Sequence, residues 1–440
     1  MISYRLYDIS LNSECLSHAD TMMNMSNQPA KGKTSRYVIV AVLIIAIIAG
    51  GAYYQFAIAQ SAATTSSEAQ TNSSESQMTT PTTSETMSST MAISSATQPA
   101  VTVSLLGAGA TFPAPLIQQW TVEYNKLNPS VTINYNPIGS GGGIQQITAK
   151  TVDFGASDAP LNDKQLAAAP GLVLFPETLG GVAVTYNLAP FGVSNTTTLN
   201  FNGFVLASIY YGNITKWNDP AIQQLNPGVN LPPNQITAVH RSDGSGTTYA
   251  FTNFLSAVNH AWGVNVGYST SVTWPVDKVA NGVGAKGNAG VAGTVKNAAG
   301  AIGYVDVIYA EQQHLGVGAV LNAAGNYILP TLQTILYAAQ NATGTPNPSD
   351  LRLHIVNAAG PQSYPIATYT YLLVYKDMSL NPDLNIDKAK ALAQFFWWAV
   401  HDGQQYSQAL IYVPLPQNVV SADEQLLNSL NFQGQPLLSS

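Results

Sequence analysis

An α/β fold is predicted for the chain from about residue 101 onward, because short β-branched runs repeatedly pass through glycine-containing loops into amphipathic helices. The first unit is a strand at 101–106 followed by a Gly/Pro loop and a helix with an apolar stripe. Alternating apolar residues predict a second strand at 131–135, and a third lies at 152–156. A fourth strand stops at Arg241, and the apolar stripe of a helix follows it.

Later segments continue the pattern. A strand is predicted at 182–187, Asn218-Asp219-Pro220 opens a helix through Leu225, and Val291 with Val295 indicates a helix before a strand at 302–305. A further strand at 369–374 precedes a helical stripe that ends at Gly403. We interpret Trp397 and Trp398 of that helix as packing residues.

The loop after the fourth strand, Arg241-Ser-Asp-Gly-Ser-Gly-Thr247, carries the chemistry that is easiest to interpret. Arg241 is the only arginine between Arg36 and Arg352, and it stands where the strand ends. A strand-to-helix loop directs free N–H groups and the positive end of a helix dipole at one spot, to which Ser245 and Thr247 add hydroxyls. The loop alone is equally compatible with an ordinary helix N-cap and a surface arginine paired to Asp243.

Several loops of this kind occur together, and in an open α/β sheet such loops gather outside the carboxyl ends of the strands. Together they indicate a site for a small anion. No G-x-x-x-x-G-K-[ST] sequence occurs, and Gly107-Ala-Gly109 lacks the third glycine of a dinucleotide fingerprint, so neither kind of nucleotide site is expected.

Composition excludes other classes of function. Charged residues are 9% of the chain and the formal net charge is −7, so a nucleic-acid partner is not expected. The single cysteine, Cys15, allows no intrachain disulfide or thiolate cluster, and the six histidines show no metal-ligand spacing. We expect no cofactor and no metal.

The N-terminal hundred residues have a different organisation. Residues 1–36 form a predicted cytoplasmic leader that ends in basic residues, and residues 37–59 are apolar enough for a transmembrane helix. A retained anchor and a signal peptide cleaved after Ala57-Ile58-Ala59 both fit this segment. Residues 60–100 are rich in Ser and Thr and form a predicted disordered tether that places the folded part outside the membrane.

Four motifs, in order, resemble the substrate-binding protein of the high-affinity phosphate ABC transporter. They are Gly107-Ala-Gly-Ala-Thr-Phe-Pro-Ala-Pro, Ile138-Gly-Ser-Gly-Gly-Gly, Val152-Asp-Phe-Gly-Ala-Ser-Asp-Ala-Pro and Arg241-Ser-Asp-Gly-Ser-Gly-Thr. The similarity continues through Lys286-Gly-Asn-Ala-Gly and Gly300-Ala-Ile-Gly-Tyr-Val, and covers about 105–417.

This resemblance implies a two-lobed periplasmic-binding-protein fold of type II. Lobe 1 would comprise 101–182 plus 364–440, and lobe 2 would comprise 183–363. It implies an extracytoplasmic receptor, monomeric, that holds inorganic phosphate between the lobes and delivers it to the permease subunits of an ABC importer. The implied phosphate ligands are Thr111, the N–H of Phe112, Ser140, Asp158, Arg241, Ser245, the N–H of Gly246, and Thr247, while Asp243 is implied to orient the arginine.

Asp158 is explained if the bound anion carries a proton, because an ionised carboxylate only accepts hydrogen bonds. Phosphate has such a proton and sulfate does not, so Asp158 would reject sulfate. Arsenate, which also carries a proton, stays open as an alternative ligand. A phosphate-ester hydrolase using His240, Asp243 and Ser245 is the other alternative. Three residues so close in one loop are poorly placed to form a nucleophile, a base and an orienting group.

Overall fold

The structure is a computed structural model that describes residues 102–279, 281–342 and 344–438. The predicted leader at 1–36, the apolar segment at 37–59 and the tether at 60–100 lie outside these residues. Within the described ranges, every helix is too short or too polar to cross a membrane.

Helices and strands alternate through most of the described chain, as predicted. The helices are α1 (Ala114–Leu127), α2 (Ser140–Thr148), α3 (Asp163–Ala168), α4 (Gly203–Tyr211), α5 (Pro220–Leu225), α6 (Gly246–Val258), α7 (His260–Asn265), α8 (Gly287–Asn297), α9 (Val307–Gln312), α10 (Leu332–Gln340), α11 (Ile386–Val400) and α12 (Gln417–Asn428). Short 3-10 turns occupy Ala189–Phe191, Pro275–Val279, Met378–Leu380, Asp402–Tyr406 and Gln408–Leu410.

Over the described residues, the strands form one large mixed sheet and two small ones. They are β1 (Val103–Gly109), β2 (Val131–Pro137), β3 (Phe154–Ser157), β4 (Leu172–Tyr186), β5 (Asn200–Phe201), β6 (Thr237–Arg241), β7 (Gly282–Ala285), β8 (Ala301–Asp306), β9 (Gly316–Val317), β10 (Ala319–Leu321), β11 (Tyr327–Ile328), β12 (Ala367–Tyr375), β13 (Asn431–Phe432) and β14 (Gln435–Pro436). The large sheet has nine strands in the order β2-β1-β3-β12-β4-β8-β6-β7, with β9 paired to β4.

Strand β4 joins two groups of strands. Its earlier part, through Gly181, pairs antiparallel with β12, which in turn pairs with β3, and β3, β1 and β2 are mutually parallel. Its later part, from Val182, pairs antiparallel with β8, and β8, β6 and β7 are parallel. We call β2, β1, β3 and β12 the first half-sheet and β8, β6 and β7 the second half-sheet.

The register brings the carboxyl ends of both half-sheets to the middle of β4. On the first half-sheet, Tyr371 of β12 lies opposite both Ser157, the last residue of β3, and Pro176 of β4. On the second half-sheet, Asp306, the last residue of β8, lies opposite Val182 of β4. Loops that leave β1, β2 and β3 therefore face loops that leave β6, β7 and β8.

Each half-sheet packs on its own aromatic cluster. On the first, Phe154 and Phe175 meet Phe396 of α11 edge to face, with ring centroids 5.6 and 5.1 Å apart. On the second, Tyr304 of β8 stacks on Phe251 of α6 with centroids 4.4 Å apart. Such aromatic pairs stabilise the fold more than the burial of their surface area alone would. They therefore help to hold the strands of each half-sheet in place.

Most predicted elements are confirmed, with two informative differences. The strand predicted at 182–187 is the end of β4, which already begins at Leu172. The helix expected from Ile144 begins at Ser140, because Gly139 at φ 94° makes the turn and Gly141, Gly142 and Gly143 continue as helix. Glycine is a poor helix former. Here the helix packs so closely that a Cβ on Gly143 would lie 2.5 Å from the Cα of Gly109, which explains the residue.

Candidate functional site

The predicted binding residues converge where the loops of the two half-sheets meet. The N–H of Gly141, after β2, donates to the carbonyl oxygen of Gly244, after β6, at 2.9 Å. A Cβ added to Gly244 would lie 2.9 Å from the Cα of Gly141, closer than real side chains approach. Two backbones can touch here only because both residues are glycines.

Thr111 and Phe112 lie between β1 and the start of α1, and hydrogen bonds hold their backbone. The hydroxyl of Tyr412 donates to the carbonyl oxygen of Phe112 at 2.7 Å, and that of Tyr309 donates to the carbonyl oxygen of Thr111 at 2.6 Å. Both carbonyls are therefore occupied by donors from outside the loop, which fixes the peptide planes. The N–H of Phe112, which shares a peptide plane with the Thr111 carbonyl, therefore keeps a defined direction.

Ser140 begins α2 and contacts two other predicted ligands. Its Oγ accepts the N–H of Gly246 at 3.0 Å and the N–H of Asp158 at 3.2 Å. Ser140 is buried, as is Gly246, the first residue of α6. This serine thus ties together the loops after β2, β3 and β6.

Arg241 ends β6 and is buried, with 4% of its surface exposed. Its guanidinium donates from Nε to Oδ1 of Asp243 at 2.8 Å and from Nη2 to Oδ2, so the pair is bidentate. Nη1 donates to Oγ1 of Thr247 at 3.2 Å. Burial opposes ionisation of Asp243, but the bonds and charge of Arg241 outweigh it and hold its pKa below the ordinary value. Asp243 therefore stays ionised and orients the arginine.

Ser245 and Thr247 occupy the N-terminus of α6. Ser245 is the N-cap, and its side chain accepts the N–H of Thr248 at 3.0 Å. Thr247 lies two residues further along the chain, and both side chains are fully buried. Their hydroxyls and the N–H groups of the first helical turn, of which Gly246 N–H donates to Ser140 Oγ, face the same spot.

Asp158 follows β3 and is a buried carboxyl with an unused oxygen. It is 1% exposed, and Oδ1 has no hydrogen-bond partner among the described residues. Oδ2 lies 3.5 Å from the Ser140 hydroxyl. Burial raises the pKa of Asp158 to about 7, although Arg241 and the Ser140 hydroxyl act in the opposite direction. A buried polar atom without a partner is costly, so an atom of a ligand is the natural partner for Oδ1.

The attraction for an anion comes mainly from dipoles. Because Asp243 neutralises much of the charge of Arg241, formal charges alone supply little positive potential. Helices α1, α2, α6 and α8, however, all begin at this site. Each helix N-terminus carries a partial positive charge and N–H groups without partners inside the helix. Low polarity around buried donors makes them effective.

Two cavities adjoin the site. One of about 220 Å³ is lined by residues that include Thr111, Asp243, Lys286 and Tyr309. Another of about 690 Å³ lies beside the loop after β3 and includes Arg352. The Arg352 side chain is 27% exposed and bridges Asp163 and Asp350, so its charge is already compensated at the surface. The buried Arg241 is the better anion ligand of the two.

The residues of the hydrolase alternative do not form a catalytic line. His240 stacks on Trp274, and its Nε2 lies 2.8 Å from Oδ1 of Asp277. Ser245 instead caps α6, and Asp243 binds Arg241. Each of the three side chains has a different structural partner. Within the described ranges, no group of three or more His, Cys, Asp or Glu side chains is arranged to hold a metal ion.

Comparison with known proteins identifies the family. A family model described as a PBP superfamily domain matches residues 59–398. The phosphate-binding protein PstS of Xylella fastidiosa is 44% identical over 322 residues, which cover 73% of this chain and 84% of that protein. The PstS of Methanocaldococcus jannaschii is 36% identical over 343 residues, covering 75% and 86%. The chain belongs to the phosphate-binding protein family.

Solved structures show the fold of this family member. A high-affinity periplasmic phosphate-binding protein, PfluDING, bound with phosphate at pH 8.5, aligns with a TM-score of 0.58 and 21% identity, covering 76% of this chain and all of that one. A phosphate-binding protein from Stenotrophomonas maltophilia aligns with a TM-score of 0.55 and 19% identity, covering 73% and 93%. The α/β periplasmic-binding-protein-like fold expected from the sequence is thereby confirmed.

Sequence reasoning missed several residues around the site. Asn288, at the start of α8, contacts two of the predicted ligands. Glu177 on β4 and Asp306 at the end of β8 are buried acids near Asp158. Burial raises the pKa of Glu177 to about 8 and that of Asp306 well above its ordinary value, and the charge of Asp158 acts in the same direction on both. Asn288 and Asp306 fall near the Lys286-Gly-Asn and Gly-Tyr-Val motifs, but nothing in the sequence shows that β8 and α8 face this site.

Proposed function

We propose that this protein is an extracytoplasmic receptor that binds inorganic phosphate between two lobes and delivers it to an ABC-type importer. The observation that carries the proposal is the buried Asp158, whose Oδ1 finds no partner in the part of the chain that the structure describes, while hydroxyls, helix N-termini and Arg241 surround it. Such a site combines many donors with one acceptor. It fits an oxyanion that has several bare oxygens and one protonated oxygen.

The roles of the individual groups follow from their donor and acceptor capacity. Asp158 accepts a hydrogen bond from the protonated oxygen of the bound anion, and Asp243 holds the guanidinium of Arg241 in place. The proposed donors to the bare oxygens are the side chains of Thr111, Ser140, Arg241, Ser245 and Thr247 and the backbone N–H groups of Phe112 and Gly246. Charge-assisted hydrogen bonds of this kind contribute about 1.5–3 kcal/mol each.

The same inventory distinguishes phosphate from sulfate. Phosphate near neutral pH carries at least one proton, so its protonated oxygen can donate a hydrogen bond to Asp158. A sulfate oxygen would face Asp158 with no proton between them. A buried acceptor opposed to another acceptor cannot be relieved by water, and mismatches of this type give large discrimination. Arsenate presents the same proton pattern as phosphate, so it is the rival ligand that remains.

The two lobes of the proposal correspond to the two half-sheets. Residues 101–182 plus 364–440 contain the first half-sheet, and 183–363 contain the second. This division is supported by β4, which pairs with β12 up to Gly181 and with β8 from Val182 onward. Thr111, Ser140 and Asp158 then belong to lobe 1, and residues 241–247 belong to lobe 2. A ligand held by both lobes would favour a closed arrangement over an open one.

The location outside the cytoplasm rests on the N-terminal sequence. We propose that residues 37–59 anchor the chain in the membrane or act as a cleaved signal peptide, and that 60–100 tether the receptor near the permease subunits. The receptor is proposed to act as a monomer, because one chain supplies the complete ligand set. Phosphate transport, rather than catalysis, is the proposed activity.

Isothermal titration calorimetry of the full chain with phosphate, arsenate and sulfate tests the proposal. We expect tight binding of phosphate, measurable binding of arsenate, and binding of sulfate that is weaker by several orders of magnitude. Equal affinity for phosphate and sulfate would remove the proton-acceptor role of Asp158. Absence of phosphate binding would remove the proposed function itself. Hydrolysis of p-nitrophenyl phosphate, assayed in parallel, would support the enzyme alternative.

A further inference from the structure

Asn288 is a buried residue near the start of α8 that lies between two proposed phosphate ligands. Its backbone N–H and its Nδ2 donate to Oγ1 of Thr111 at 3.2 and 3.1 Å, and Nδ2 also donates to Oγ1 of Thr247 at 3.2 Å. Its Oδ1 accepts the backbone N–H of Asp306 at 3.0 Å. A backbone N–H can only donate, so this last bond fixes which end of the amide is oxygen and which is nitrogen.

The contacts of Asn288 determine what the two threonine hydroxyls can do. A hydroxyl offers one hydrogen and two lone pairs. Oγ1 of Thr111 accepts twice from Asn288, and Oγ1 of Thr247 accepts once from Asn288 and once from Nη1 of Arg241 at 3.2 Å. Both lone pairs of each oxygen are thus engaged. The hydrogen is the only remaining function of either hydroxyl, so each is committed to donate.

We propose that Asn288 is a positioning residue that fixes the hydroxyls of Thr111 and Thr247 as donors to the bound anion. This inference rests on the proposed phosphate-binding function and specifies how the site sorts the oxygens of its ligand. The oxygens that face Thr111 and Thr247 must act as acceptors there, because a P–O–H hydrogen pointed at either threonine would meet the threonine hydrogen. The hydrogen of the anion is left to point at Asp158. Asn288 therefore sets the orientation of a monoprotonated oxyanion.

Asn288 lies where threonines from the two half-sheets meet, so one amide can donate to both hydroxyls. Thr111 follows β1 in the first half-sheet, whereas Thr247 lies in the first turn of α6, after β6 of the second half-sheet. Asn288 is fully buried, so water does not compete for its amide hydrogens. Ser140 shows the same arrangement independently, because its Oγ accepts from the N–H groups of Gly246 and Asp158.

A purely structural role for Asn288 is the alternative that the test must separate. In that case the amide would simply tie α8 to β8 through Asp306, and its loss would weaken folding and binding regardless of the threonines. If Asn288 acts through the hydroxyls, its effect on phosphate affinity must shrink when a threonine hydroxyl is already absent. A double-mutant cycle measures this dependence directly.

The experiment is calorimetric titration of the full chain with inorganic phosphate, using Asn288→Ala, Thr247→Val, Thr111→Val and the two double variants. We expect Asn288→Ala to weaken phosphate binding by about ten- to a hundredfold, since two charge-assisted hydrogen bonds lose their orientation. In either valine background the same substitution should cost clearly less, with a departure from additivity of about fivefold or more. Asn288→Ser is measured in parallel, and circular dichroism records whether each variant is folded.

The matched control is Asn322→Ala. Asn322 is also a buried asparagine, but its Nδ2 donates to the carbonyl oxygens of Gly360, Pro361 and Ser363 and to none of the proposed ligands. This variant should unfold at a lower temperature and bind phosphate as the wild type does. The inference is overturned if folded Asn288 variants bind like the wild type, or if their losses simply add to those of the threonine variants. Failure of the wild type to bind phosphate would instead overturn the proposed function.

Discussion

Replacing Asp158 by asparagine should let sulfate into the site while phosphate still binds. Asp158 is 1% exposed, and its Oδ1 has no hydrogen-bond partner among the described residues, so water does not soften its contact with an anion. Leaving a buried polar group unpaired costs about 1–3 kcal/mol, and more for a charged one. Sites that depend on one buried polar group discriminate by about 10⁴–10⁵.

The asparagine keeps the shape of the side chain, accepts the phosphate proton through Oδ1, and can turn its amide N–H toward a sulfate oxygen. We therefore expect the phosphate-to-sulfate affinity ratio to fall by at least about a hundredfold, mainly because sulfate binds more tightly.

The assay is competitive titration of both anions against wild type and Asp158→Asn at fixed pH and ionic strength. Arg241→Lys serves as the control, because it replaces the planar guanidinium and breaks the bidentate pair with Asp243 whichever anion is bound. Both affinities should fall in that variant while their ratio changes little. A ratio that survives Asp158→Asn unchanged would falsify the proton-acceptor role, and the discrimination would then have to come from the geometry of the donors.

Three further outcomes are expected. Glu177→Gln should flatten the pH dependence of the unfolding free energy. Because the pKa of Glu177 is raised to about 8, the folded chain holds a proton that the unfolded chain releases, so stability falls by roughly 4 kcal/mol as the pH rises from about 4.5 to 8. Denaturant unfolding of the variant at pH 5 and pH 8 should no longer show that difference. An unchanged slope would mean that Glu177 is solvated. A chain beginning at Val101 should be soluble and bind phosphate; an inert product would place the domain boundary elsewhere. Saturating phosphate should reduce the radius of gyration in small-angle scattering, and an identical profile would argue against closure between lobes.

The local parts of the fold were readable from the sequence because they depend on neighbouring residues. The pattern of a strand, a Gly/Pro loop and a helix predicts β1, β2, β6 and the helices that follow them. Their predicted boundaries lie close to those observed. The placement of Arg241 and Asp243 as a pair also followed from one loop. The structure adds that the arginine is buried, and so decides against the surface ion pair that the loop alone allowed.

Long-range pairing was beyond such reasoning. Strand β12 comes from near residue 370 and inserts between β3 and β4, and no periodicity in either segment specifies that neighbour. Asn288 and Glu177 were missed for the same reason: their roles come from what lies opposite them in space. Helix α2 begins before the predicted start at Ile144: helix propensity disfavours the three glycines that precede Ile144, whereas close packing on Gly109 requires a glycine at Gly143.

Strand β4 has a consequence for how the molecule comes apart. It runs from Leu172 to Tyr186 and is buried along almost its whole length. Its earlier part pairs with β12 and its later part pairs with β8. Melting either half-sheet would leave buried amides of this strand without partners, which is costly. The two halves should therefore lose structure in a single cooperative heat-absorption peak rather than in two. The amide hydrogens of β4 should be the slowest to exchange with deuterium, because only global unfolding exposes both of its neighbours at once.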